Sequence, residues 1–174
     1  MLSLYGCVVP GLLQLVGSMS DVLDKGRWHA VESGADVEAL ADARLIDDMF
    51  PLHMQVRRMV DHSSGALADV AKGVFSPPRH EAIGYSEMQT MLSRALAELQ
   101  EWIPAQVDDL QGKEFIFAVG SSRRVYSAEA YLLLFAMPNC YFHAVTAYDI
   151  LRSRGVPIGK RDYLSQHRTH LGDA

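Results

Sequence analysis

Three polar side chains stand one helical turn apart in an otherwise apolar stretch: Asn139, His143 and Thr146. Spacings of four and three residues place them on one stripe of a helix. A buried amide or imidazole without a hydrogen-bond partner destabilises the folded state. The stripe therefore has two interpretations. Asn139 and His143 bond to each other, to nearby carbonyls or to a buried water, or they line a pocket or a metal site.

An earlier segment carries four further side chains with suitable chemistry: His53, Gln55, Asp61 and His62. At 100° per residue, His53 and Gln55 lie closest to the apolar stripe through Val56, and the other two lie further round a continuous helix. We therefore expect His53 and Gln55 to edge into the core. Asp61 is expected to pair on the surface with a neighbouring arginine.

Periodicity of the apolar residues predicts the elements that position these side chains. A three- to four-residue repeat predicts long helices, whereas alternation over 114–126 predicts a β-hairpin. The last helix is apolar on nearly every side and is expected to be the most buried. The predicted helices cover residues 3–31, 37–46, 47–72, 85–103 and 127–155, the second of them short.

Size and charge narrow the class of protein. The chain has 174 residues, 49% of them hydrophobic and 21% charged, with a net charge of −5. One core suits this length, so we predict a single domain over residues 1–164 and a disordered tail over 165–174. A nucleic-acid partner is not expected, because no basic face is visible.

Cysteine usage and the apolar segments bear on location. Two cysteines, Cys7 and Cys140, form no disulfide framework, which predicts reduced thiols and a cytoplasmic protein. The apolar start has no basic residue before Lys25, so it predicts a core helix and not a signal peptide. The apolar stretch 131–145 is too short to span a bilayer. We expect no membrane segment.

Specific motifs resemble a known superfamily. They are the SLYG start, DMFPLHMQV at 48–56 and PNCYFHAVTAYDILRSRGVPIGKRDYL at 138–164. Together these resemble an uncharacterised branch of the DinB/YfiT-like metalloenzymes, in the right order over essentially the whole chain. The resemblance implies an all-α fold, a four-helix bundle with a short β-hairpin between the third and fourth long helices.

The resemblance also implies a site between the second and fourth long helices. Metal-binding members carry two histidines one turn apart on the last helix and a third on the second helix. His143 matches the later histidine of the pair, whereas Asn139 replaces the earlier one. An amide oxygen is a weaker ligand than imidazole for zinc or nickel. His53 is the second-helix histidine expected to accompany His143 in any such site.

Two functions follow from these expectations. The favoured one is a bundle with a degenerate metal site and a small-ligand-binding or structural role, its pocket lined by Asn139, His143, Thr146 and Gln55. The alternative is a metal-dependent enzyme, a thiol transferase or a hydrolase, that uses His143 with zinc or nickel. A homodimer is also predicted, from apolar side chains around residues 5–9 and 88–91.

Overall fold

The structure, a computed structural model, describes residues 3–75 and 81–164, and the predicted tail lies outside them. The described chain is mostly helical with one small antiparallel sheet. Its helices are α1 (Leu4–Ser33), α2 (Val37–Ala41), α3 (Leu52–Asp61), α4 (Ser64–Lys72), α5 (Tyr85–Glu101), α6 (Pro104–Asp108), α7 (Ala128–Tyr131), α8 (Met137–Ser153) and α9 (Lys160–Tyr163).

Helix α1 agrees with the predicted first helix. The Ser3 hydroxyl accepts a hydrogen bond from the Gly6 amide at 3.1 Å and so caps its start. Gly34, at φ 70°, ends it in the left-handed conformation that favours glycine. By length and apolar composition α1 could also cross a membrane, but 56% of its most apolar stretch is buried against the rest of the chain. It forms part of the core.

The predicted single helix over 47–72 is wrong. The chain forms α3 and α4 instead, separated by a turn at His62 and Ser63. Ser63 has φ −112° and ψ −98°, outside the helical region. Serines and a glycine follow His62 and favour such a break. Serine side chains hydrogen-bond to the backbone in non-helical conformations, and glycine loses more backbone entropy in a helix than other residues. The His62 amide still donates to the Arg58 carbonyl at 3.0 Å, so the chain changes direction only after His62.

The hairpin was predicted correctly. Strands β1 (Glu114–Val119) and β2 (Ser122–Ser127) pair antiparallel, with Phe115 opposite Tyr126. Ser127 then caps α7, its hydroxyl accepting from the Ala130 amide at 3.3 Å. A π-helical turn, Leu132–Ala136, joins α7 to α8 and widens the helix just before the polar stripe.

Burial differs from the prediction for two helices. Every residue from Leu52 to Met59 of α3 is buried, although α3 is more polar in composition than α8. Helix α3 packs against α8 and α5, and α1 packs against α5 and α8. The last helix is not the most buried, because Leu134 and Phe142 are 78% and 57% exposed. The regions from which a dimer was predicted are largely internal: Val8, Val9 and Met88 are fully buried.

Candidate functional site

The contact between α3 and α8 centres on a hydrogen bond between Gln55 and His143. The Nδ1 atom of His143 lies 2.7 Å from the Oε1 atom of Gln55. Both residues are buried, with 8% of His143 and 1% of Gln55 exposed. Gln55, one of the predicted pocket residues, therefore lies against His143. The bond joins residues 88 positions apart and ties the two helices together.

Gln55 also determines which nitrogen of His143 carries the proton. The Nε2 amide of Gln55 donates to the Phe50 carbonyl at 3.0 Å, so the Oε1 atom is the one that faces the imidazole. An amide oxygen only accepts, and the Nδ1 of His143 must therefore donate. In the neutral ring this leaves the lone pair on Nε2. The same arrangement orients histidines that bind metals, which donate their other N–H to a fixed oxygen.

A second imidazole lies beside His143. The rings of His62 and His143 are parallel within 2°, with centroids 5.8 Å apart, and the ring of Phe135 meets His62 edge-on at 5.7 Å. Phe142 meets His143 in the same manner at 5.3 Å. Among the described residues the buried Nδ1 of His62 has no hydrogen-bond partner. The two imidazoles thus share an environment with aromatic walls.

Both histidines are neutral at pH 7. Burial and, to a smaller extent, the nearby Arg58 guanidinium lower the pKa of His62 to about 4. Burial likewise lowers the pKa of His143 to about 4, with smaller contributions from His62 and Arg58. The site therefore presents uncharged nitrogen donors and acceptors to anything that enters it.

An ion pair borders the histidines. Arg58 is 6% exposed and donates to the Asp61 carboxylate at 2.8 Å. Burial raises the pKa of Asp61, while Arg58 opposes that rise. The predicted pairing of Asp61 with a neighbouring arginine is thus present, but the arginine is buried and not on the surface.

The other two predicted pocket residues bond to their own helix. The Asn139 side-chain amide donates to the Phe135 carbonyl at 2.7 Å, and the Thr146 hydroxyl donates to the Phe142 carbonyl at 2.8 Å. The π-helical turn next to Asn139 disturbs the regular pattern of carbonyl partners there. Of the two initial interpretations of Asn139, a bond to a nearby carbonyl is the one that the geometry shows.

His53 lies elsewhere. Its Nε2 atom is 3.8 Å from the Asp42 carboxylate, and its pKa is lowered by burial. Residues 53 and 55 are about 200° apart around a helix. His53, beside Asp42, and Gln55, bonded to His143, therefore point to different sides of α3. The structure therefore brings His62, not His53, next to His143. Residues 55 and 62 are seven apart, which places them within about 20° of each other around a helix, and this spacing is the sequence signal for that placement.

The donor set around His143 does not fit a tight metal centre. Within residues 3–75 and 81–164 no three His, Cys, Asp or Glu side chains are grouped so as to hold an ion. The Asn139 amide points to a carbonyl, and Cys140 is buried with its thiol donating to the Met59 carbonyl at 3.5 Å. Burial raises the pKa of Cys140 to about 12, so its thiol is also a poor nucleophile.

The family of this chain is identified by a match over most of its length. A family of domains of unknown function (DUF1993) matches residues 4–164. The chain belongs to this family. The match spans every described helix and both strands, including the Gln55–His143 contact. A comparison with curated proteins finds no match.

A solved structure supports the resemblance to DinB proteins. The crystal structure of a DinB family member protein from Shewanella denitrificans has 25% sequence identity and a TM-score of 0.79. The alignment covers 92% of this chain and 91% of that one. The DUF1993 chain thus has a DinB-like helical fold, as its motifs indicated.

Proposed function

We propose that this DUF1993 protein is a cytoplasmic four-helix bundle with a degenerate metal site that binds a small ligand without catalysis. The Gln55–His143 hydrogen bond carries the proposal, because it holds a neutral imidazole with its Nε2 lone pair unprotonated. A ligand with one N–H or O–H donor and an apolar body suits this acceptor and the rings of Phe135 and Phe142 around the two histidines.

The protonation behaviour of the site favours binding over proton transfer. A general base is most effective when its pKa lies near the working pH. His62 and His143, each with a pKa of about 4, are weak bases at pH 7. Both rings can still form hydrogen bonds in their neutral form.

Metal titration tests the degenerate site. We expect wild-type protein to bind zinc and nickel weakly or not at all by calorimetry. Asn139→His restores two imidazoles one turn apart, so we expect measurable affinity in that variant. The double variant Asn139→His with His143→Ala is the matched control and is expected to lose the gain. Stoichiometric, chelator-resistant metal in the wild-type protein would contradict the proposal and favour the metal-dependent enzyme.

Nitrogen NMR with a small probe tests ligand binding. Phenol offers one O–H donor on an aromatic ring, and we expect it to shift the ¹⁵N resonance of His143 Nε2 through a new hydrogen bond. His143→Gln should abolish phenol binding while Asp42→Asn, beside His53, leaves it unchanged. Phenol binding that is equal in wild type and His143→Gln would show that the acceptor is not His143.

A further inference from the structure

Two buried polar side chains stand one turn apart on α3, on a different side of the helix from the Gln55–His143 contact. His53 is 6% exposed and Arg57 is 8% exposed. Residues four apart share one face of a helix. Among the described residues the Nδ1 atom of His53 and the Nε atom of Arg57 are buried and have no hydrogen-bond partner. Most buried polar atoms in folded proteins are paired, so this face of α3 carries unused hydrogen-bonding capacity.

The positive charge of Arg57 also has no counter-charge close by. Its Nη2 atom donates to the Glu81 carbonyl at 3.1 Å, which is a neutral acceptor. In the part of the chain that the structure describes, no Asp or Glu side chain forms an ion pair with Arg57. Asp61, one turn further along α3, pairs with Arg58 instead. Burying a charge without a counter-charge destabilises the folded state, so the Arg57 guanidinium favours binding of an anion.

Two further features make the surroundings of His53 attractive to an anion. His53 is the second residue of α3, and the first turn of a helix carries a partial positive charge. Burial lowers the pKa of His53, the Asp42 carboxylate opposes this, and the guanidinium groups of Arg44 and Arg57 lower it further. Both guanidinium groups therefore act on the ring of His53, and an anion beside that ring would be attracted by both.

The Asp42 carboxylate marks the position that an anion would take. One of its oxygens lies 3.8 Å from the Nε2 atom of His53, and the Asp42 side chain is 82% exposed. This distance is too long for a hydrogen bond, and the attraction of so exposed a carboxylate is weakened by water. A negative charge on this side of the ring favours a proton on Nε2. His53 thus directs an N–H donor towards a carboxylate that is only loosely held.

We propose that His53 and Arg57 form a binding site for an oxyanion, the carboxylate or phosphate group of a small acidic ligand, which displaces Asp42. A guanidinium presents several N–H donors in a planar fork that matches such groups, and the Nε2–H of His53 adds one more. Residues 53 and 55 lie about 200° apart around α3. The oxyanion site is therefore separate from the ligand site at His143 and does not depend on it.

Water and cations suit the oxyanion site less well. A water molecule could accept an N–H of either side chain, but it would leave the charge of Arg57 without a counter-charge. A cation would be repelled by the guanidinium groups of Arg44 and Arg57. An anion both pairs with the charge and accepts the hydrogen bonds.

Titration with sulfate, a fully ionised oxyanion, tests the site. We expect sodium sulfate to shift the ¹⁵N resonance of His53 Nε2 and to raise the pKa of His53, because a bound anion stabilises the imidazolium. Sodium chloride at equal ionic strength should do neither. Arg57→Gln removes the guanidinium charge and should weaken sulfate binding at least about tenfold. Circular dichroism checks that this variant is folded.

Asp42→Asn and Asp47→Asn are a matched pair of variants for the displaced carboxylate. Both residues are exposed between α2 and α3, so neither change should disturb folding. Asp42→Asn removes the competing carboxylate and should tighten sulfate binding roughly threefold. Asp47→Asn removes the same charge from the same loop and should leave the sulfate affinity close to that of the wild-type protein.

Three results would each overturn the oxyanion site. They are a sulfate effect on His53 no larger than that of chloride, equal sulfate affinity in folded Arg57→Gln and wild type, and equal tightening by Asp42→Asn and Asp47→Asn. If Arg57→Gln does not fold, the chloride comparison and the two aspartate variants decide the question.

Discussion

Two buried histidines on facing helices, His143 on α8 and His53 on α3, differ in what surrounds them. His143 Nδ1 lies 2.7 Å from a buried amide oxygen, whereas His53 Nε2 lies 3.8 Å from Asp42, a carboxylate whose side chain is 82% exposed. The Nδ1 of His53 is buried and has no partner within the described part of the chain. Burial alone therefore does not fix which nitrogen of a histidine carries the proton. A fixed partner that selects one tautomer distinguishes His143.

The largest expected effect is the difference in stability loss when each of the two histidines is truncated to alanine. His143→Ala removes a buried ring and leaves the Gln55 oxygen without its donor, so we expect a loss of about 2–4 kcal/mol in the free energy of unfolding. Urea denaturation monitored by circular dichroism measures it. His53→Ala is the control, expected to cost less because it strands no hydrogen-bonded partner. Equal losses in both variants would show that the Gln55 contact adds nothing to stability.

Removing the partner instead of the ring gives the next effect. Gln55→Leu keeps most of the volume but leaves the Nδ1–H of His143 unsatisfied, which should cost about 1–3 kcal/mol. The ¹⁵N spectrum should lose its single-tautomer pattern, because Gln55 is the acceptor that selects Nδ1 protonation. Gln55→Glu keeps an acceptor oxygen for the Nδ1–H but loses the amide that donates to the Phe50 carbonyl, so it should keep the Nδ1 proton at some cost in stability. Retention of one tautomer in Gln55→Leu would contradict the role given to Gln55.

Acid sensitivity should follow the neutral histidines. The pKa values of His62 and His143 are about 4 in the folded chain, against 6.5 for an unperturbed histidine. Above pH 6.5 both histidines are unprotonated in the folded and in the unfolded chain, and their contribution to stability is fully present. As the pH falls from 6.5 to about 4 the unfolded chain binds protons first, so stability is lost.

His62→Gln removes one of these protonation steps. We expect the drop in unfolding free energy between pH 7 and pH 4.5 to be smaller in this variant by about 1 kcal/mol, allowing for partial solvation of the ring. Urea titrations at the two pH values provide the measurement. His29→Gln, on the partly exposed side of α1, is the comparison and should leave the drop unchanged. An identical drop in His62→Gln and wild type would mean that His62 titrates normally.

The smallest effect concerns the partner of His53. Asp42→Asn removes an exposed carboxylate 3.8 Å from the imidazole, and exposed ion pairs contribute little. We expect a change below about 0.5 kcal/mol in the unfolding free energy. A larger loss in the same denaturation experiment would show that His53 has a fixed charged partner. The two histidines would then both have a fixed partner.

Much of the local structure was predictable from periodicity and turn residues. The helical repeat before Gly34, the alternation over 114–126 and Ser127 as a helix cap all match the structure. These features depend on neighbours a few residues away, which the sequence displays directly. The angle to Val56 placed both His53 and Gln55 towards the core, and both are buried in α3.

What the sequence left open was decided by tertiary contacts. The apolar stripe through Val56 did not single out His62, and the packing of α3 against α8 is what brings its ring beside His143. Helix α8 is apolar all round, and only its packing partners decide that His143 is covered and Leu134 is not. The amino-acid sequence by itself determined most of the helical segments and showed that polar groups occur among apolar ones. Which of those groups meet depends on how separate helices pack, because that packing joins residues as far apart as Gln55 and His143.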